Sequence, residues 1–397
     1  MPRGKAIALL SGGLDSLLAT RLIIDQGIEV IGLHFITPFF GYHQKGREGE
    51  FQNQWRQRHG LEVRILDVSE GFFQILRHPR YGYGKHFNPC IDCKIFLFSQ
   101  AREWMEKEGA DFLISGEVLG QRPMSQRRDT MRIVERESKT EGILLRPLCA
   151  KNLKPTQPEL SGVVDREKLL GISGRGRRPQ IELARKMGIQ DYPTPAGGCL
   201  LTDPILSQRI RQYFREHPNV EVREILLLLV GRHFRLPGGG HLIIGRKEAE
   251  NERIQRLAQR GEILLRLRAI PGPLGLIRGP VDEVSLRLAG SILARYSKAR
   301  GAAEVEVRYG RNPDGGDGIL SVAPARDEIL DLLRFESFPE VPPSSAGDEG
   351  RGFGSVPNGD RKNSGAREDS RFGFAAPGLS GGSLDEGPLG AAREDPH

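Results

Sequence analysis

Short apolar runs alternate with amphipathic stretches over the first 150 residues of the chain. Five runs predict strands, at residues 6–10, 29–35, 62–67, 111–115 and 142–147. Between them apolar residues recur at helical spacing, which predicts helices at 17–26, 52–58 and 95–108. Strands that alternate with helices are typical of an α/β fold, here an open, mainly parallel sheet with helices on both faces. The ligand of such a sheet binds outside the carboxyl ends of its strands.

The pattern changes twice further along the chain. Residues 205–230 predict a helical connector, and residues 231–335 predict a C-terminal α+β module. We expect that module to contain a hairpin at 234–244, strands at 262–267, 274–278 and 304–308, and a helix at 280–299. Residues 336–397 are rich in Gly, Ser and Pro with few large apolar side chains, which predicts a disordered tail. The chain therefore divides into residues 1–204, 205–230, 231–335 and 336–397.

Charge is distributed unevenly along the chain. The net charge is +7, and the predicted tail has 11 acidic and 6 basic residues, a net of −5, so residues 1–335 carry +12. A part this basic fits a polyanionic partner such as RNA, and ordinary surface charge explains it equally well. No apolar run approaches the roughly 18 residues of a membrane span, and no signal peptide precedes the first strand. We expect a cytoplasmic protein without a membrane partner.

The hexapeptide Ser11-Gly12-Gly13-Leu14-Asp15-Ser16 stands where the first predicted strand passes into a helical pattern. Backbone N–H groups at a helix N-terminus bind phosphate, and the two glycines let the backbone approach it closely. The Asp15 carboxylate would repel a bare phosphate, so we expect it to hold a Mg²⁺ that bridges to the phosphates. The hexapeptide lacks the Gly-Lys-Ser/Thr of a P-loop and the third glycine of a dinucleotide fold. A plain strand–turn–helix corner is the alternative.

Four cysteines in 397 residues do not make a disulfide scaffold. Cys90 and Cys93 form a Cys-x-x-Cys pair at a predicted helix start, where the helix dipole favours the thiolate. Cys199 lies more than a hundred residues away, after a Gly-Gly step. Incidental buried cysteines, a redox pair and a structural zinc site are alternatives, although the zinc site would lack its second ligand pair. We expect Cys90, Cys93 and Cys199 to converge near the nucleotide and handle sulfur, and Cys149 to be a buried thiol.

The hexapeptide matches the pyrophosphatase loop, or PP-loop, of ATP-dependent adenylating enzymes. Residues 5–205 resemble the tRNA thiouridylases of that superfamily, the MnmA and ThiI relatives. Asn88-Pro89-x-Ile91-x-Cys93 is similar to the segment that carries their nucleophilic cysteine, and Cys199 corresponds to their second, persulfide-carrying cysteine. The resemblance implies an adenine nucleotide alpha hydrolase-like fold that uses ATP and Mg²⁺. It implies nucleotide contacts at Ser11, Gly12, Gly13, Asp15, Ser16, Phe35 and Gly116.

Position 90 departs from the persulfide-type enzymes, which have an acidic residue where this chain has cysteine. The third cysteine resembles the branch of thiolases that binds a [4Fe–4S] cluster through three cysteines. The resemblance therefore implies such a cluster on Cys90, Cys93 and Cys199, with a persulfide relay between Cys93 and Cys199 as the alternative. The neighbouring Asp92 and Lys94 are expected to be surface charges at the helix start, with tuning of the Cys93 pKa as the alternative.

The implied activity is that of a tRNA sulfurtransferase. ATP would adenylate a uridine carbonyl oxygen, and sulfur would then displace AMP to leave a thiouridine. The sulfur donor would be inorganic sulfide or a persulfide carrier protein, and the oligomeric state stays open. Alternatives are an amidotransferase, a small-molecule sulfur-insertion enzyme, and an RNA-binding factor with a vestigial ATP site.

Basic segments provide candidate RNA contacts. Two arginine-rich stretches, residues 121–128 and 173–178, are expected on loops near the active site, where guanidinium groups bind phosphate. Residues 232–310 resemble the NFACT-R RNA-binding module at 244–251, 269–273 and 296–300, although Pro273 and Leu274 replace polar residues of the usual motif. Together these segments predict RNA contacts at Arg122, Arg127, Arg128, Arg175, Arg177, Arg178, Arg246, Lys298 and Arg300.

Overall fold

Residues 4–192, 198–311 and 317–337 are described by a computed structural model, and in these ranges the strands form one parallel and one antiparallel sheet. All of them lie in one unit that spans Met1–Glu340. The predicted disordered tail lies outside the described residues beyond Ser337.

The parallel sheet occupies the N-terminal part. Its strands are β1 (Lys5–Leu9), β2 (Glu29–Ile36), β3 (Glu62–Asp67), β4 (Phe112–Ser115) and β5 (Leu144–Leu145). Their order is β3-β2-β1-β4-β5, and every pair is parallel. The direction of winding reverses between β1 and β4, so a crevice opens outside the carboxyl ends of these two strands. The predicted α/β architecture is confirmed.

Helices cover both faces of this sheet. In chain order they are α1 (Leu14–Ile24), α2 (Glu48–His59), α3 (Ser69–Arg77), α4 (Cys90–Lys107), α5 (Arg128–Glu137), α6 (Gln157–Leu160) and α7 (Arg178–Lys186). One apolar cluster joins α1, α2 and α7 to the sheet, and another joins α4 and α5 to it. Helix α4 begins five residues earlier than predicted, which places both Cys90 and Cys93 in its first turn. The sequence pattern does not predict helices α3 and α5.

The connector consists of two helices, α8 (Pro204–Glu216) and α9 (Val222–Leu228). The Asp203 carboxylate caps α8 by accepting a hydrogen bond from the Leu206 N–H at 2.8 Å, and Pro204 stands at the first helical position, where its missing N–H costs nothing. These two features fix the start of α8 at Pro204.

The C-terminal module is built on the antiparallel sheet. Its elements are β6 (Arg232–Arg235), β7 (His241–Ile244), α10 (Glu248–Leu257), β8 (Ile263–Leu267), β9 (Gly275–Arg278), α11 (Glu283–Arg295), β10 (Val305–Gly310), β11 (Gly318–Val322) and α12 (Asp327–Leu333). The strand order is β11-β10-β8-β9-β7-β6. Helix α11 packs on this sheet through buried Ala289, Ile292 and Leu293. The predicted α+β module is confirmed, and α10, β11 and α12 are additions to it.

Contacts continue past the predicted end of this module. The sequence pattern places Glu336 in the tail, but its carboxylate forms an ion pair with Arg209 of α8 and its carbonyl accepts a hydrogen bond from the Gln208 Nε2 at 2.9 Å. The buried Phe335 ring stacks on His241 with centroids 4.9 Å apart. The folded part therefore extends beyond residue 335. Within the ranges described above, no helix combines the length and apolar character needed to cross a membrane.

Candidate nucleotide and cysteine site

The hexapeptide at residues 11–16 forms a tight turn between β1 and α1. Gly12 has φ +77°, a left-handed conformation that favours glycine, and Gly13 is the N-cap residue of α1. The Ser16 hydroxyl donates to the Gly13 carbonyl at 2.8 Å, and its Oγ lies 3.2 Å from the Ser11 Oγ. These contacts hold the turn at the helix N-terminus, where an anion binds favourably.

Gly116 packs directly against this turn. It follows β4, whose last residue pairs with the last residue of β1. A Cβ at position 116 would lie 2.5 Å from the Ser16 backbone nitrogen and 2.6 Å from the Asp15 carbonyl carbon, so no larger residue fits without moving the backbone. The topology thus brings Gly116 beside the hexapeptide. Phe35, the other predicted AMP contact, lies on β2 next to β1 with its side chain 6% exposed.

Asp15 has one satisfied and one unsatisfied carboxylate oxygen. Its Oδ2 accepts a hydrogen bond from the Gln121 Nε2 at 2.7 Å and lies 3.4 Å from the Arg177 Nη2. Its Oδ1 is buried and has no hydrogen-bond partner among the described residues. A buried carboxylate oxygen without a partner is costly, and a cation would satisfy it. Asp15 therefore suits the role of a metal ligand at the nucleotide loop.

Cys199 approaches Cys90 and Cys93 across the fold. It precedes a short 3-10 turn at Leu200–Thr202, and the Phe87 N–H donates to the Leu201 carbonyl at 3.3 Å, which joins the two segments. Burial raises the pKa of Cys93 to about 12, Lys94 opposes that rise, and the neighbouring Cys90 and Cys199 add to it. Burial also raises the pKa of Cys199, with Cys90 contributing. Cys93 and Cys199 pack against the same apolar cluster, which contains Phe87 and Leu201, and Cys90 lies one helical turn before Cys93. The three cysteines therefore lie in one region of the fold.

A buried ion-pair network connects the cysteines to the nucleotide loop. The Lys94 Nζ lies 3.1 Å from the Glu117 Oε1, and the Arg146 Nε lies 3.0 Å from the Glu117 Oε2. Burial alone would raise the pKa of Glu117, but these two cations hold it below its ordinary value. Glu117 directly follows Gly116, which packs on the hexapeptide. The contacts therefore run without a gap from the nucleotide loop to the residue next to Cys93.

Comparison with known families agrees with this geometry. Residues 2–154 match the model of the family described as thiamine biosynthesis protein (ThiI). Residues 231–332 match the model of the NFACT protein RNA binding domain. One part of the chain, called the ThiI domain below, thus matches the ThiI family model, and a second part, called the NFACT domain below, matches the model of the NFACT RNA-binding domain. The predicted combination of a PP-loop domain with an NFACT-R module is confirmed.

Two curated relatives each match less than half of this chain. The "Probable tRNA sulfurtransferase" of Thermococcus kodakarensis is 28% identical over 182 residues, which is 46% of this chain and 44% of that protein. The tRNA-specific 2-thiouridylase MnmA of Petrotoga mobilis is 32% identical over 134 residues, 30% of this chain and 36% of that protein. The chain thus spans less than half the length of these relatives. Among solved structures, U34-tRNA thiolase NcsA from Methanococcus maripaludis with its [4Fe–4S] cluster is 18% identical with a TM-score of 0.30, and the match covers 57% of this chain and 71% of that chain.

Sequence reasoning misses or misjudges several residues of the ThiI domain. Lys94 is paired with Glu117, so it is not a plain surface charge. Asp92 is buried and accepts hydrogen bonds from the backbone N–H groups of Arg80 and Tyr81, at 2.9 and 3.0 Å, so it stabilises the loop before α4. Glu117 and Arg146 are missed altogether. Each follows the carboxyl end of a parallel strand, a signal that could have identified them.

The predicted RNA contacts fall into two groups. Five side chains already have a protein partner: Arg127 with Asp129, Arg128 with the Asn152 carbonyl, Arg177 with Asp15, Arg178 with Glu182 and Arg246 with Glu250. Within the described part of the chain, four make no side-chain hydrogen bond or ion pair: Arg122, Arg175, Lys298 and Arg300. The unpaired cations are the better phosphate ligands, because binding breaks no existing ion pair.

Proposed function

We propose that this protein is an ATP-dependent tRNA sulfurtransferase that converts a uridine into a thiouridine. The observation that carries the proposal is that Cys93 and Cys199 pack against one apolar cluster, with Cys90 one helical turn before Cys93, and that Lys94 and Glu117 link this region to the PP-loop. The NFACT domain would supply further affinity for tRNA. A cytoplasmic location and a sulfide or persulfide-carrier donor are part of the proposal.

The first step would be adenylation of the uridine. The hexapeptide N–H groups and the α1 dipole would hold the phosphates of ATP, and Asp15 would hold a Mg²⁺ through its unpartnered Oδ1. The uridine carbonyl oxygen would attack the α-phosphorus, so that an O–P bond forms and the bond to pyrophosphate breaks. The same N–H groups would stabilise the charge that develops on the departing pyrophosphate.

The second step would deliver sulfur from the cysteine site. A new C–S bond would form at the activated uridine carbon, and the C–O bond would break with release of AMP. Lys94 would stay paired with Glu117 and keep a positive charge beside the reacting sulfur. This charge would stabilise an anionic sulfur nucleophile.

The donor set at this site fits an iron–sulfur cluster. Among the described residues, no three His, Cys, Asp or Glu side chains are grouped closely enough to hold a metal ion. The cluster is therefore supported by the number of cysteines alone: Cys90, Cys93 and Cys199 would supply three thiolates and leave one iron of a [4Fe–4S] cluster without a protein ligand. When bound, such a cluster supplies an iron with an open position for sulfide. A relay between Cys93 and Cys199 would not need Cys90.

The proposal is tested by anaerobic incubation of the protein with ATP, Mg²⁺, sulfide and tRNA, followed by mass spectrometry of the nucleosides. We expect thiouridine, together with pyrophosphate release that requires tRNA. Pyrophosphate release without tRNA would instead indicate a small-molecule substrate. If the protein neither turns over ATP nor forms thiouridine, the result would indicate an RNA-binding factor.

Changing Gly116 to alanine is expected to weaken ATP binding about tenfold or more, since the new Cβ would lie 2.5 Å from the Ser16 backbone nitrogen and displace the PP-loop. The measurement is calorimetric titration of the protein with ATP and Mg²⁺. Gly49→Ala is the matched control, because a Cβ at position 49 would have no atom within 4 Å among the described residues. Equal ATP affinity of the Gly116 variant and the control would contradict the contact.

Changing Arg300 to alanine is expected to lower tRNA affinity and to reduce the slope of log K against log salt by about one. Arg300 is exposed and makes no ion pair within the described ranges, and with Arg295 and Arg334 it lines a surface cavity of about 290 Å³. Filter binding across a salt series measures the slope. The matched control is Arg287→Ala, whose guanidinium is exposed but paired with Glu283. An unchanged slope for the Arg300 variant would remove it from the RNA contacts.

A further inference from the structure

Two large apolar side chains are exposed at the cysteine site. Tyr83 is 39% exposed and Met124 is 42% exposed, on loops that precede α4 and α5 respectively. The loops touch, since a Cβ on Gly84 would lie 2.9 Å from the Met124 Cε. The Gly84 N–H donates to the Asn88 carbonyl at 2.8 Å, two residues before Cys90. The two exposed side chains therefore adjoin the segment that carries Cys90.

The Tyr83 ring is held in a fixed position. It stacks on buried Phe87, with ring centroids 4.7 Å apart and an interplanar angle of 25°, and its hydroxyl donates to the Leu76 carbonyl. The Arg211 guanidinium of α8 lies 5.6 Å from the Phe87 centroid and donates to the His86 carbonyl at 2.9 Å. A large aromatic ring that is both rigid and exposed binds a planar ligand with little loss of side-chain entropy.

Cations lie next to this apolar pair. The side chains of Arg122 and Lys85 make no hydrogen bond or ion pair within the described ranges. Arg122 is two residues from Met124 on the same loop, where its carbonyl accepts a hydrogen bond from the Gln126 N–H at 3.1 Å. Lys85 is two residues from Tyr83 on the same loop. Aromatic and apolar side chains beside free cations are typical of surfaces that bind single-stranded nucleic acid.

We propose that Tyr83 and Met124 form a platform that binds an unpaired nucleobase at the entrance to the cysteine site, with Arg122 and Lys85 contacting the flanking phosphates. The proposal rests on the proposed function and names how its RNA substrate is held. A uridine inside a helix cannot present its carbonyl carbon to a buried sulfur, so the base must leave the stack. The platform would stabilise that unstacked base or its neighbour. The free cations favour RNA over a protein partner as the occupant.

The test uses the full chain and an octamer of 5-iodouridylate, which crosslinks to aromatic side chains under long-wavelength ultraviolet light. We expect a crosslink in the tryptic peptide of residues 81–85, its loss in Tyr83→Ala, and its retention in Tyr83→Phe, which keeps the ring. Affinity is measured in a Lys298→Ala/Arg300→Ala background, which removes two candidate RNA contacts of the C-terminal module. In this background, Tyr83→Ala should weaken binding of the octamer without iodine about tenfold, and it should weaken binding of an RNA duplex less than twofold.

Leu160→Ala is the matched control, because Leu160 is an exposed apolar side chain, 74% exposed, on α6 of the same domain. Its octamer affinity should stay within about twofold of the parent protein. A crosslink that is absent, or that survives in Tyr83→Ala, would overturn the platform. The platform would also be overturned if the Tyr83→Ala variant binds the octamer with normal affinity and only accepts sulfur more slowly from a persulfide carrier. That result would indicate a protein partner as the occupant. Absence of thiouridine with a Tyr83 crosslink would contradict the proposed function and leave the platform standing.

Discussion

Replacing Cys93 by serine is expected to lower thiouridine formation about a thousandfold or more while tRNA-dependent release of pyrophosphate continues. A serine hydroxyl neither carries sulfur nor binds iron as a thiolate does, so both versions of the sulfur step require the Cys93 side chain. The nucleotide loop is untouched by this change, which is why adenylation should persist. Mass spectrometry of nucleosides and a pyrophosphate assay on the same samples separate the two steps.

Cys149→Ser is the matched control for Cys93. Cys149 is a buried thiol in the same domain, and its Sγ donates to the Glu117 carbonyl at 3.3 Å, a hydrogen bond that serine can also make. We expect the activity of Cys149→Ser to stay within about threefold of that of the unmodified protein.

Cys90→Ser then separates the two sulfur mechanisms. Loss of both bound iron and activity supports the cluster, whereas an active, iron-free Cys90→Ser protein supports the relay. A Cys93→Ser protein that makes thiouridine at a tenth of the normal rate would contradict any role of Cys93 in sulfur transfer.

Much of the parallel sheet could be predicted because its central strands are apolar on both faces. Strands β1 to β4 begin and end within one residue of the predicted positions. The central strands β1, β2 and β4 are buried between two helical layers and therefore have mainly apolar sequences, whereas the edge strand β3 alternates apolar and charged residues. Strand β5 is shorter than predicted, because only Leu144 and Leu145 pair with β4. The sequence pattern does not predict helices α5 and α10, because each has only a few apolar residues among many charged ones.

The site could be predicted only where its residues form local motifs. The hexapeptide and the Cys-x-x-Cys pair are each contained in a few residues, and their chemistry can be read without a fold. The pairing of Glu117 with Arg146 depends on two neighbouring strands ending side by side, which only the sheet order shows. The sequence predicts Arg177 as an RNA contact because nothing in it indicates that this side chain faces Asp15.

Replacing Arg146 by methionine is expected to destabilise the ThiI domain by about 3–5 kcal/mol, because it leaves the buried carboxylate of Glu117 with Lys94 as its only cation among the described residues. The Arg146 side chain is 1% exposed and also pairs with Glu135, so solvent cannot replace it. Both tryptophans, Trp55 and Trp104, lie in this domain, and their fluorescence during urea unfolding therefore reports on it alone. Arg21→Met, which breaks an exposed pair with Asp25, is the control and should cost less than about 1 kcal/mol.

The pH dependence of this loss identifies the carboxylate responsible. Because the folded-state pKa of Glu117 lies below its ordinary value, its contribution to stability is fully present above an unfolded-state pKa of about 4.3 and is lost as pH falls through the folded-state value. Loss of Arg146 raises the folded-state pKa of Glu117 in the variant, so the difference in stability between Arg146→Met and the parent protein should narrow as the pH falls from the folded-state pKa of the variant to that of the parent. Adding Glu117→Gln to Arg146→Met should remove most of the penalty, since the unpaired charge is then gone. A penalty that is independent of pH and unaffected by Glu117→Gln would mean that Arg146 stabilises the domain through packing alone.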